Sequence, residues 1–325
     1  MGDTTEPGSL VDSWLRVVRD SSGNYWVSQP GFVSVFDHEG RFLRTVGRKG
    51  AGPMEFRAPL PVYVEAGGRI HVLDASRRET VLNPDFSFAL QRAFPGRAND
   101  VLALPDGRYV ANMWLNSSDG IGMPLHVVEG ESVSQSFGKP VGEPSLVSPF
   151  SAERVLGGDT RGRILASEVY ALRLDVYSGH GVRLGGVVGR PLNRARVQQG
   201  AWTDENPPAS RIWAVQVDSA DRLWVLEWLR RDDWREFVGP VQVPGGTTRL
   251  DMRDRATPIQ SLYRCVVEVI DLQAQEVIAR YEGREHFQQF AGPNGLVVGQ
   301  VHSEDGTLRV GVWQLQFHPQ TRRDR

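Results

Sequence analysis

The stretch VGRKGAGPMEFRAP, Val46 to Pro59, decides how the rest of this chain is read. Its three glycines and two prolines exclude a helix or a central strand. Phe56 is its one aromatic anchor, and short β-type runs lie on either side. The stretch is therefore a connector between two sheets. Arg48 and Lys49 beside the glycines also fit a phosphate-cradling loop, but the context argues for a link. It closes one hairpin and hands the chain to the next strand. Phe56 is expected to plug between the two sheets, with Gly50 and Gly52 permitting a sharp return.

Outward from this link, one unit recurs: a turn followed by a short apolar strand. It reads DSSGNYWV at Asp20, EAGGRIHV at Glu65, PDGRYVA at Pro105, DTRGRILA at Asp159, DSADRLWV at Asp218 and GPNGLVV at Gly292. Gly, Asn or Asp occupies each turn, where a positive φ is expected. The units recur about every 54 residues, which suits a four-stranded antiparallel sheet with variable loops. A second hairpin follows in units one to five, for example FVSVFDHEGRFLRTVG from Phe32 and LDVYSGHGVRLGGVVG from Leu174. The sixth unit ends after LRVGVWQLQF, one strand short. The expected fold is all-β: a six-bladed β-propeller of four-stranded antiparallel blades. It forms one domain over residues 1–325, with the last blade completed by an N-terminal segment, Thr4 to Val11.

The D-x-x-G turns, the outer hairpin from Val35 to Gly47, the link Gly50 to Pro59 and the closing VGVWQL from Val310 together resemble the NHL-like six-bladed propellers of bacteria. The resemblance runs from about Trp14 to Phe317 and is densest in the first unit and its link. It implies the fold. For function it implies several alternatives, since propellers host lyases, lactonases, sugar binders and docking platforms.

Composition narrows the field. Net charge is −2, from 37 basic and 39 acidic side chains, so no basic field attracts nucleic acid. No run of apolar residues is long enough for a transmembrane helix. The polar, acidic start lacks the features of a signal peptide. The expected compartment is the cytoplasm, or an extracytoplasmic one if a leader precedes this sequence. The single Cys265 excludes an intrachain disulfide and falls in a strand-like run, where a core thiol is expected.

Candidate chemistry is sparse. Asn99, Asp100 and Glu153 are the residues that could surround a divalent cation at the channel mouth, as a lactonase-like hydrolase requires. His286 is the candidate base of a lyase-like site. The plain alternative is that Asn99-Asp100 starts a strand and His286 sits at a blade entrance. No nucleophile elbow, Walker loop or paired-histidine metal motif is present, and no cofactor is expected.

The remaining signal lies in Trp228 to Tyr263, an insertion in the fifth unit. Trp228, Arg230, Arg231, Trp234, Arg235, Phe237, Arg249 and Arg253 combine the residue types enriched at interface hot spots. The plain alternative is a surface excursion with local salt bridges. The leading expectation is a non-catalytic scaffold with protein partners. It would act as an accessory subunit, extrinsic to a larger assembly that could be membrane-associated. The rivals are the cation-dependent hydrolase or lyase, and a carbohydrate binder stacking sugar on Trp234.

Overall fold

The computed structural model describes residues 16–65, 67–113, 115, 123–139, 153–159, 161–192, 202–242, 248–254, 257–283, 285–292, 294–302 and 308–317. Within it, each Asp-led turn closes on its own carboxylate. Asp20 accepts the backbone N–H groups of Ser22 and Asn24, and its second oxygen accepts the Trp26 indole N–H at 3.0 Å. Asp218 repeats the arrangement with Ala220, Arg222 and Trp224. Asp37 and Asp159 do so with arginines in place of tryptophan. The D-x-x-G-x-x-W spacing thus caps a turn and pins the first large side chain of the next strand.

These turns build six antiparallel sheets. Blade one runs Val17–Arg19, Tyr25–Gln29, Phe32–Phe36 and Phe42–Val46. Blade two starts at Pro59, blade three at Ala98, blade four at Arg154 and blade five at Arg211. Each of these has four strands. Blade six has three among the described residues: His286–Gly292, Leu296–His302 and Leu308–Gln314. The segment expected to complete it lies outside the described residues.

Side chains on both faces of a blade are apolar, because each blade is sandwiched between two others. Leu223 and Val225 join the core with blade four, whereas Trp224, Leu226 and Trp228 on alternate positions join the core with blade six. Six such cores follow one another around the ring. The last, with Val17, Phe36, Val298 and Val310, joins blade six to blade one. The molecule is a closed six-bladed β-propeller.

The link does what its sequence implies, by a different device. Phe56 is fully buried between blades one and two, against Trp26, Val35, Ile70 and Val72. Its burial contributes about 2–3 kcal/mol. The positive φ falls on Gly47 (+78°), where a Cβ would sit 2.3 Å from the Phe56 ring, and on Met54. Gly50 and Gly52 have ordinary φ. They matter because the Glu55 carboxylate folds back to accept the N–H groups of Ala51 and Gly52 at 2.9 and 2.8 Å. A Cβ on Gly50 would lie 2.1 Å from that carboxylate. Arg78 of blade two donates to the carbonyls of Ala51 and Glu55, tying the link to the blade it enters.

Candidate functional site

The first strands of all six blades line an axial channel of about 780 Å³. Its wall is largely apolar, with Leu60, Tyr63, Phe94, Leu102, Val155 and Phe290. Asn99 and Asp100 stand at the start of blade three's inner strand, as the plain reading has it. Asn99 is a bulge residue and donates to the Asn112 side chain at 3.2 Å. Asp100 accepts the Leu156 N–H of blade four at 2.8 Å and the Val101 N–H at 3.0 Å, and faces Arg16 at 3.3 Å. It therefore stitches blades together. Glu153 turns toward Arg211 at 3.5 Å. Among the described residues, no three His, Cys, Asp or Glu side chains gather as a cation site.

His286 is half-buried. Its Nε2 lies 3.2 Å from the Tyr263 carbonyl, and its ring sits edge-on to Trp228 at 5.4 Å. Burial pulls its pKa below the ordinary imidazole range. It belongs to the packing between blades five and six. Cys265 is fully buried, as expected, and burial pushes its thiol up to about 12.

The blade-five excursion is shorter than its sequence outline. Arg222–Arg230 is the blade's second strand and Tyr263–Asp271 its third, and Arg230 and Tyr263 are paired across them. The excursion thus spans 231–262. Its frame is a two-stranded ribbon, Val238–Gln242 with Thr248–Met252, preceded by a single 3-10 turn at Trp234–Glu236. Trp234, Val238 and Leu262 form its own small core, with Trp202, Leu250 and Met252 packed against them.

This geometry divides the predicted docking residues. Trp228 and Trp234 are 4% and 3% exposed, so neither presents its ring at the surface. Trp228 packs on Trp213 and donates its indole N–H to the Phe287 carbonyl at 2.7 Å. Trp234 lies beneath the guanidinium groups of Arg230 and Arg235. Burying a tryptophan under arginines stabilises the ribbon and removes the indole from the surface. Arg230 also donates to the Pro208 carbonyl. Arg231 forks onto Asp233 and lies over the half-buried Phe237. Arg235, Arg249 and Arg253 are exposed. Strand alternation puts Val241, Arg249, Asp251 and Arg253 on the outward face, opposite Val238 and Met252.

Two arrangements carry no obvious sequence signal. The inner strands of blades two, three, five and six each have a bulge, which falls near the strand's start on Asn99, Trp213 and Gln288 in the last three. A bulge depends on cross-strand register, which a single strand's sequence does not reveal. The second is a buried polar cluster between blades two and three. Glu79, with no exposed surface, takes His71 Nδ1 at 2.7 Å, the Tyr109 hydroxyl at 2.5 Å and the Arg92 guanidinium. His71 Nε2 reaches Glu65 at 2.8 Å. Burial would raise the Glu79 pKa, but hydrogen bonds from His71, Arg92 and Tyr109 outweigh it and hold it at about 2.

No protein-family model matches the chain, and no curated protein matches it. Solved structures share its fold. An inferred exported protein from Bacteroides fragilis NCTC 9343 superposes with a TM-score of 0.54 at 14% identity, covering 92% of this chain and 82% of that one. A member of the DUF4221 family from Bacteroides vulgatus gives 0.53 at 9% identity, with 94% of each chain covered. A luciferin-regenerating enzyme gives 0.50 at 13% identity, with 95% of each covered. At these identities the likeness is one of fold alone.

Proposed function

We propose that the protein is a non-catalytic docking platform whose propeller holds a protein partner on the blade-five ribbon. The observation that supports this reading is the ribbon's construction. It has its own core and its own hydrogen-bonded ladder, yet blade five is already joined across Arg230 and Tyr263 without it. An ordered element that ring closure does not require is a loop elaborated on a rigid scaffold. Its free edge is blunted by Pro240 and by Arg253, whose Nε donates to the Val238 carbonyl, so a partner would meet its face and not extend its sheet. Exposed Val241, paired across the ribbon with exposed Arg249, supplies the apolar and cationic contacts. Nearby acids pair several of these arginines, so electrostatics would set orientation more than affinity. No helix among the described residues is long and apolar enough to cross a membrane. A place in a membrane-associated assembly would therefore run through this partner.

The test is affinity capture from the native host with the full chain and with a Val241→Asp, Arg249→Glu double variant. The wild type should retain a stoichiometric partner and elute well above its own 36.2 kDa. The variant should lose that partner and keep its melting temperature. A monomer in native extract, or equal capture by both proteins, would sink the proposal.

A further inference from the structure

The outer strand of blade four, Arg183–Pro191, is nine residues long and stands last in its sheet. Among the described residues, no backbone hydrogen bond reaches its free side. A bare edge of this kind is commonly guarded by charged or polar side chains. The outer strands of blades one, two and five carry Arg44, Arg92 and Glu276 with Arg280, and that of blade three carries three serines. Blade four has no such guard from Leu184 to Gly189. Val182, Leu184 and Val188 are 61%, 58% and 75% exposed, the three most exposed large apolar side chains among the described residues. Bulges interrupt the ladder at Leu184 and beyond Val188, so Gly185 to Val188 alone keep a regular register, against Arg173 to Val176. The edge therefore suits a short segment. Gly185 has open space where a side chain would stand, so nothing there obstructs an approaching strand.

The two faces of this strand differ. Val187 points into the core shared with blade five. Gly186 and Val188 point the other way and line a groove of about 660 Å³ between blades three and four. Lys139, Arg154, Arg173 and Arg183 line the same groove against only two carboxylates, Glu168 and Asp175. The groove is thus positive on a chain whose net charge is −2. Arg173 stands 3.8 Å from Glu168 and Arg183 2.8 Å from Asp175, and both arginines are more than half exposed. Such exposed pairs are weak, so an incoming carboxylate can share them. The charge also selects the occupant. A second copy laid edge to edge would bring the same surplus of cations, whereas an acidic segment complements it.

We propose that the outer edge of blade four takes a short, extended, acidic segment of a partner protein as a fifth strand. The segment pairs with Gly185 to Val188 and holds its carboxylates over the groove, toward Arg173 and Arg183. The blade-five ribbon takes no part in this contact, so the two surfaces stand or fall separately.

Fluorescence polarisation on the full chain tests it, with the fluorescein-labelled peptide Glu-Val-Glu-Val-Glu-Val-amide as probe. The alternation puts all three carboxylates on one face of the extended peptide. The probe should bind saturably, and its Lys-for-Glu counterpart about tenfold more weakly or worse. A version N-methylated at every residue keeps the charges but loses the amide donors, and should not bind, because strand addition rests on main-chain hydrogen bonds. Val188→Glu and Arg173→Glu place a like charge beside the probe, and each should weaken it by about fivefold or more. Both residues are exposed, so the melting temperature should hold. Bound probe should also slow hydrogen exchange at amides within Gly185 to Val188. Absence of saturable binding, equal binding of the lysine or the N-methylated peptide, or undiminished binding by both variants would overturn the proposal. So would a concentration-dependent dimer of the free protein that Val188→Glu abolishes, since that would assign the edge to a second copy.

Discussion

At the scale of single residues, the ring is fixed by carboxylates that hold backbone and side chain at once. Asp20 and Asp218 each pin a tryptophan indole while closing a turn, and Glu55 closes the link from inside. Glu79 is the deepest of them, and its cluster links stability to pH. Facing it are His71, Arg92 and Tyr109, with Glu65 beyond the imidazole. Its folded pKa of about 2 lies below the ordinary 4.5, so the stabilisation is complete above the higher value. It is lost as pH falls from one value to the other, and amounts to roughly 3 kcal/mol. Glu79→Gln should cost about that much at neutral pH, or somewhat more because His71 and Arg92 lose their shared acceptor. Denaturant titrations of both proteins at pH 7 and pH 3 check this. The gap should shrink by about half at the lower pH, and a constant gap would assign Glu79 a purely steric role.

At the scale of elements, the ribbon and the link were not equally legible. The link could be read because its glycines, prolines and Phe56 each serve one local purpose in a contiguous stretch. RRDDWREF offers no such guide: its charges alternate in sign with no period of two, and the chain makes a 3-10 turn there. Whether Trp234 faces solvent or protein was decided by Arg230 and Arg235 closing over it, which is tertiary packing. The bulges at Asn99 and Trp213 escaped for a related reason, since they exist only relative to the neighbouring strand. The ribbon's dependence on Trp234 gives an expected outcome. Removing a buried tryptophan costs about 3–5 kcal/mol, and Trp234 is the largest of the three buried residues in the ribbon's core. Trp234→Ala should open the ribbon while the blade beneath it persists. In hydrogen exchange, amides of Val238–Gln242 and Thr248–Met252 should lose protection and those of Arg222–Arg230 should keep it. Loss of protection in both would mean that ribbon and blade fold as one unit.

At the scale of the whole molecule, the period of the turns revealed six blades, because every blade repeats one local program. How the ring closes was less legible, because closure joins residues at opposite ends of the chain. Two devices perform it among the described residues. One is apolar: Val17, Tyr25 and Phe36 of blade one pack on Val298 and Val310 of blade six. The other is polar and rests on one side chain. Gln289 of blade six accepts the Val17 N–H at 3.1 Å and donates to the Val17 carbonyl, imitating a neighbouring strand. Gln289→Leu preserves the volume and leaves both Val17 groups without that partner. Each orphaned group costs about 1–3 kcal/mol, so the variant should lose roughly 2–4 kcal/mol in urea unfolding. Blade one contributes only three residues to its inner strand, Val17–Arg19, so the damage should begin there. Exchange at these amides should accelerate while the inner strand of blade three stays protected. A loss below about 0.5 kcal/mol, with no change at Val17, would mean that the apolar contact between blades six and one closes the propeller unaided.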